Sequence, residues 1–300
     1  MEFRQLLYAI RIYHAKNFSR AAEQLLIAQP SLSQQLAKLE KQLGVTLFHR
    51  TTNSVEPTYA GEIFVHKGQQ ILDLVEQLKN EMNDISLLRK GKLVVGTLPM
   101  TGSHILPRVL PIFKERYPDI EISLVEETSS HLEQLTSAGV VDFSLLSLPI
   151  MEETLIYRPY ITESILLAIH PSHPLANRTE PIPVKALMNE SFIALKKGQG
   201  FRQITHDICV NAGFVPNVVF ESSNIDTVQS LVAAGMGVAF IPQMIAASRK
   251  GKYVPEFKQL TDPCPSRTLV VAERRGRYFS KAAEAFIETL MEVSANINES

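Results

Sequence analysis

Cysteine is scarce in this 300-residue chain, where Cys209 and Cys264 are the only two. They lie 55 positions apart, in no CxxC pair and beside no cluster of metal ligands. This excludes a disulfide framework and gives no support to a paired redox sensor. Long apolar runs are missing too: none reaches the ~20 residues a membrane span needs. The first helical stretch carries Arg4 and Arg11 inside an amphipathic pattern, unlike a secretion signal. The expected address is therefore cytoplasmic, with no membrane partner. Catalytic motifs are absent: no Ser-His-Asp set on a nucleophile elbow, no GxGxxG after a strand, no HExxH and no P-loop, and RKGKLVVG is not a Walker sequence. No catalytic residue is expected. The eight histidines are scattered, and His170 and His173, in HPSHP, read as turn chemistry rather than a metal site. Neither a metal nor a cofactor is expected.

Charge is nearly balanced, at −1 overall, but it is uneven. Residues 1–60 carry seven Lys/Arg and four Asp/Glu, a net of +3, which leaves −4 for the rest. A polyanion would meet the N-terminal end. With 45% hydrophobic and 20% charged residues, the chain is an ordinary globular one with material for two or three domains.

What the sequence does have is concentrated between Phe18 and Gly61. Phe3, Leu6, Leu7, Ile10 and Tyr13 predict a first amphipathic helix. A second starts at Ser19 as N-cap, with Ala21 and Ala22 allowing close approach and Leu25 and Leu26 filling the core. After a turn at Ile27–Gln29, Pro30 takes the first position of a third helix. Leu32, Leu36, Leu39 and Leu43 form its buried stripe, and Gly44 ends it. Its outer face is Ser31, Ser33, Gln34, Gln35 and Lys38. Gln bonds adenine bidentately and Ser reaches base edges or phosphate, so this face suits a DNA major groove. Gln29, Ser33 and Gln34 are the expected base readers. Arg20, Ser31, Lys38 and Arg50 are the expected phosphate contacts, and Thr51, Thr52 and Asn53 form a polar arm that reaches an adjacent groove.

The run RQLLYAI, then FSRAAEQL, AQPSLSQQLAKLEKQLGVTLFHR and the closing PTYAG closely resemble the LysR-type transcriptional regulators, densely over about the first 65 residues. Gln34 departs from the Arg that many members carry there. The resemblance implies a winged helix-turn-helix head over residues 1–60, in which Pro30 and Thr51 join the DNA-contacting set. It further implies a linker helix over 61–90 and an effector domain over 91–300.

Between Thr58 and Leu88, Phe64, Ile71, Leu78 and Ile85 repeat every seven residues, with Val75 and Met82 as the offset series. This a/d seam predicts dimerisation through a long helix and a pseudo-palindromic operator on double-stranded DNA. The resemblance adds a homotetramer, and contact with RNA polymerase.

Beyond it, strands at Lys92–Thr97, Ile120–Val125 and Phe143–Leu148 alternate with helices at Ile105–Tyr117 and His131–Ala138. A second unit begins near Ile161, with strands at Ser164–Ile169, Phe192–Leu195, Val218–Glu221 and Gly237–Ile241 and helices at Gln203–Ala212 and Thr227–Ala234. A last strand, Thr268–Glu273, and helix, Lys281–Val293, return to the first unit. The fold class is therefore α/β with an all-α N-terminal part. Its effector domain is two-lobed and periplasmic-binding-protein-like, with lobe I at 91–161 and 267–300 and lobe II at 162–266.

Ligands of open α/β sheets sit beyond strand C-termini, so the cleft between lobes should bind a small-molecule effector, a co-inducer. The expected contacts are Met100, Thr101, Ser103, Thr128, Ser129, Lys197, Gly198, Arg202 and Asn224, which suit a small organic acid or amino-acid-like metabolite. The rivals are a redox- or metal-responsive regulator on the same scaffold, an enzyme, and a solute-binding transport protein, which would need a secretion signal.

Overall fold

The computed structural model describes residues 1–50, 55–85, 91–247 and 254–298, and falls into two compact units. In the first, α1 (Phe3–Ala15), α2 (Phe18–Gln24) and α3 (Gln29–Leu43) close on one core. A two-stranded wing, β1 (Phe48–Arg50) and β2 (Val55–Pro57), and the long α4 (Tyr59–Ile85) follow. Leu6, Ala9, Ile10 and Ile12 of α1 meet Ala21, Ala22, Leu32, Leu36 and Leu39 in that core.

Several expected positions differ. Asn17, not Ser19, caps α2, its side chain accepting from the Arg20 N–H at 3.1 Å. Leu26 is 92% exposed, because the turn puts it at φ 55° with its side chain pointing outward. Phe3 and Leu43, at the ends of their helices, are exposed rather than packed. Gln29 is the first residue of α3 and Pro30 the second, where a missing N–H is equally harmless. Gln35 turns inward and accepts from Gln5 Nε2 at 3.5 Å.

The wing is tied to α3 by Glu40, whose Oε1 accepts from Leu47 N at 2.7 Å and Phe48 N at 3.3 Å. In the turn into α4, Thr58 Oγ1 donates to the Thr46 carbonyl at 2.7 Å and accepts from Gly61 N at 3.0 Å. A Cβ on Gly61 would fall on the Leu47 carbonyl oxygen, so the backbones pass each other only with glycine there. Phe64 packs into the head's own core, whereas Ile71, Leu74, Leu78 and Met82 are exposed along α4. The Ile85 side chain and the 51–54 arm, with Thr51, Thr52 and Asn53, lie outside the described residues.

The second unit opens with β3 (Gly91–Thr97), α5 (Pro99–Arg116), β4 (Ile120–Glu126), α6 (Ser129–Ser137) and β5 (Phe143–Ser147). β3 pairs in parallel with both β4 and β5. The next strand, β6 (Leu155–Ile169), was expected as a separate beginning at Ser164 but is one continuous element. Lobe II follows with β7 (Ile182–Pro183), β8 (Ser191–Leu195), α7 (Gly200–Asn211), β9 (Asn217–Ser222), α8 (Ile225–Ala233), β10 (Ala239–Pro242), α9 (Gln243–Ala247), β11 (Glu256–Lys258) and β12 (Leu260–Thr261). The chain returns through β13 (Ser266–Arg274) and ends in α10 (Lys281–Asn298).

The sheet order β10-β6-β13-β5-β3-β4 makes β6 common to both lobes. Its first part pairs with β13 and its last residues, Ile165–Ala168, pair with β10. The register shifts at Leu269/Val270, opposite Ile161 and Pro159, and Tyr160 is the extra residue of this bulge. The crossing between lobes is thus two antiparallel strands. Each lobe has its own core, around Phe113, Phe143 and Phe286 in lobe I and Phe192, Phe240 and Ile208 in lobe II.

Candidate effector cleft and DNA-facing helix

Four strands of the second unit end at one place. After β3 comes α5, after β4 comes α6, after β8 comes α7, and after β9 comes α8. Each helix begins sooner than sequence periodicity suggested. α5 starts at Pro99 rather than Ile105, so Pro107 lies inside it, and α7 starts at Gly200, so Arg202 is in its first turn. First-turn N–H groups lack helical partners and point at whatever occupies the space beyond.

That space is a cavity of about 590 Å³ lined by residues after all four strand ends, among them Met100, Ser103, Thr128, Ser129, Phe201 and Asn224. A volume of this size suits a small metabolite. Beside it is a second cavity of about 470 Å³, lined by Lys197, Gly198, Arg202 and His206, which shares Ser129, Gln199 and Gly200 with the first. A Cβ on Gly200 would come within 2.6 Å of Ser129 Oγ, so glycine is what lets α7 of lobe II approach α6 of lobe I. The Ser129 hydroxyl is buried without a hydrogen-bond partner, and so is the Nε of Arg202, whose guanidinium pairs with Glu221 at 3.4 Å.

Eight of the nine expected effector contacts therefore line one cavity or the other. Thr101 does not: it is fully buried behind the wall, with its Oγ1 also unpartnered. Phe201, the aromatic of the run Lys196–Arg202 that follows β8, also lines the larger cavity, whereas Glu126, Glu127 and Asp226 were not expected there. Glu126 closes β4 and Asp226 is the second residue of α8, each two positions from an expected contact, Thr128 or Asn224, so position next to a strand end was the available signal.

On the head, Arg20, Gln29, Pro30, Ser31, Gln34 and Lys38 are exposed and Ser33 is half-buried. Gln29, Pro30 and Ser31 form the first turn of α3, where unpaired N–H groups accompany the side chains. The side chain of Arg50 lies outside the described residues.

The two cysteines are free. Cys209 is buried in the lobe II core, where burial pushes its thiol up to about 12 against a smaller opposing pull from Arg202. Cys264 is exposed. His170 and His173 serve the turn, His170 bonding Ser172 Oγ at 2.6 Å and His173 capping the Leu175 N–H at 3.2 Å. Among the described residues no group of three or more His, Cys, Asp or Glu is arranged to hold a metal, and no helix is long and apolar enough to cross a membrane.

A helix-turn-helix head with a wing, followed by a two-lobed α/β domain with a cleft, defines a DNA-binding regulator with an effector-binding domain. The description "Bacterial regulatory helix-turn-helix protein, lysR family" matches residues 3–62 and "LysR substrate binding domain" matches residues 87–295. The chain belongs to the LysR family of transcriptional regulators. It is 40% identical over 305 residues to the uncharacterized HTH-type transcriptional regulator YcgK of Bacillus subtilis (strain 168), covering 96% of this chain and 93% of that one. It is 31% identical over 280 residues to a hydrogen peroxide-inducible genes activator of Haemophilus influenzae, with 92% and 91% covered. The structure of a full-length OxyR variant from Pseudomonas aeruginosa superposes with a TM-score of 0.77 at 26% identity, over 98% of this chain and 94% of that one.

Proposed function

We propose that a small metabolite bound between the lobes controls how this regulator engages its operator. The cavity of about 590 Å³ at four converging strand ends, with the buried, unpartnered Ser129 hydroxyl in its wall, carries this reading. The parts divide as a DNA head over 1–60, a linker helix over 61–90, lobe I over 91–161 and 267–300, and lobe II over 162–266. Gln29, Ser33 and Gln34 read bases, while Arg20, Ser31, Lys38 and Arg50 hold phosphates, with Pro30 and Thr51 at the same surface. The apolar face of α4 pairs two chains, and the dimers associate further into a tetramer. A ligand that prefers one lobe arrangement shifts the population of assemblies, hence the spacing of the heads, the bend of the DNA and the contact with RNA polymerase. A protein that reads chromosomal operators acts in the cytoplasm.

Cys209 is poorly suited to be the sensing thiol of a redox version of the same scaffold. The reactive form of cysteine is the thiolate, and a thiol buried and raised to about 12 stays protonated at neutral pH.

The test is a thermal-shift screen of the full chain against organic acids and amino acids, followed by operator retardation with and without the hit. Ligand at about 100 times its dissociation constant adds about 2.7 kcal/mol to stability. Replacing Ser129, which lines both cavities, by Ala should abolish the ligand's effect on retardation. An unchanged effect would place the site elsewhere.

A further inference from the structure

Phe201 is the second residue of α7 and is 5% exposed. Its ring stands in the wall of two spaces. One is the larger cavity of the cleft. The other is an apolar recess of about 20 Å³ inside lobe II, whose wall includes Phe192, Val228 and Phe240. Leu195, Phe201 and Ile225 line both, and so form the partition between them. A close-packed interior leaves a side chain no second place to lie. Here the recess gives the ring room to move when something in the cleft presses on it.

The ring has a third neighbour, the guanidinium of Arg267, 5.5 Å from its centroid. Arg267 on β13 is the cross-strand partner of Glu163 on β6, and the two form a buried ion pair. These are the strands that cross between the lobes. Glu163 also accepts from Met244 N in the first turn of α9, so the pair holds a lobe II helix as well. The bulge three residues before Glu163 is not locked by its own side chain, because the Tyr160 hydroxyl is buried with no hydrogen-bond partner. One ring of lobe II therefore touches the cleft, a recess and the ion pair of the crossing.

Resting on the reading of the cleft given above, we infer that Phe201 is the lever through which the contents of the larger cavity set the angle between the lobes. A ligand that presses the ring into the recess takes it away from Arg267. The guanidinium then loses a cation–π contact in a desolvated place, where such contacts are strongest, and the crossing strands lose one of their ties. A ligand too small to reach the ring leaves the crossing as it is. Ring position and lobe angle form one two-state element, which is what an effector has to bias in order to act at a distance.

The experiment uses the full chain with nothing added and reads amide hydrogen exchange by mass spectrometry in peptides covering 159–165 and 264–270. Phe201→Leu removes the ring from Arg267 and should speed exchange there about tenfold or more. Val228→Ile adds a methylene to the wall of the recess, holds the ring against Arg267 and should slow that exchange. Ile208→Val removes a methylene from the same core further along α7 and should leave those peptides unchanged. Arg267→Lys keeps a charge facing Glu163 but has no flat face for the ring, so in that background Phe201→Leu should add nothing further.

Equal exchange of Phe201→Leu and Ile208→Val in those peptides would overturn the lever. So would faster exchange there in Val228→Ile, or a full effect of Phe201→Leu in the Arg267→Lys background. Each of these outcomes leaves the cleft reading standing, since that reading falls separately if Ser129→Ala leaves the effect of the thermal-shift hit on operator retardation unchanged.

Discussion

The guanidinium of Arg267 and the carboxylate of Glu163 form a buried ion pair across the two strands that join the lobes. Nη2 and Nε of Arg267 lie 2.6 and 2.8 Å from Glu163 Oε1, and their side chains are 1% and 7% exposed. The other carboxylate oxygen accepts from Met244 N at 2.7 Å, and the guanidinium stands 5.5 Å over the ring of Phe201, which lines the cleft. Desolvation raises the Tyr160 hydroxyl above its ordinary range at the adjacent bulge, with Arg267 opposing and Glu163 adding. The cleft wall and the crossing strands thus share a contact.

Removing one member of such a pair leaves the other buried and uncompensated. Arg267→Met should destabilise the protein by about 3–5 kcal/mol, measured by urea unfolding. Arg267→Met with Glu163→Leu should recover most of that loss, because an apolar pair of similar volume avoids the uncompensated charge. If the double change is no better than the single one, geometry rather than charge sets the cost.

Cys209 and Cys264 should differ in reactivity. Iodoacetamide at pH 8 should modify the native protein once, at Cys264, and twice after unfolding, as counted by mass spectrometry. The folded Cys209 thiol holds its proton up to about 12 against an ordinary value of 9.0. Between those values the folded chain binds more protons than the unfolded chain, so this group's contribution to stability falls as pH rises through the window. A Cys209→Ala comparison of stability at pH 8 and pH 10 isolates it.

On DNA, Gln34→Ala and Lys38→Ala should fail in different ways. Loss of the glutamine should relax preference at one base position, by about 1–3 kcal/mol against random DNA. Loss of the lysine should weaken specific and random binding alike and reduce the salt slope by about 1. Fluorescence anisotropy at several salt concentrations distinguishes them, and equal effects of Gln34→Ala on both DNAs would remove its base-reading role.

On α4, Leu78 is 57% exposed on the same seven-residue repeat as Ile71. Leu78→Glu places a charge in the centre of the seam and should halve the sedimenting mass at micromolar concentration, with loss of operator affinity. A particle of unchanged mass would mean that the chains pair elsewhere.

The head was legible because its signals are local. Apolar residues at helical spacing, a proline near one helix start and a glycine after its end follow from 3.6-residue periodicity and capping, and each concerns neighbours within a turn or two. The errors there are local too. Leu26 looked like core because it is apolar and adjoins Leu25, but a left-handed residue in the turn reverses its direction. Gln35 looked like a DNA-facing residue until Gln5, 30 positions earlier, took it inward.

The sequence by itself determined the order of the main strands and helices of the second unit, since hydrophobic runs bounded by turn residues are short-range facts, but it placed the starts of α5, α6, α7 and α8 too late. Only the tertiary structure decided what the strand ends make together. Glu126 and Asp226 share a cavity, and Glu163 meets Arg267 across 104 positions, because sheet order and the common strand β6 bring distant strand ends to one cleft. Periodicity carries no information about which ends converge. Convergence depends on strand pairing across the lobes, and with it the set of side chains that line the cleft.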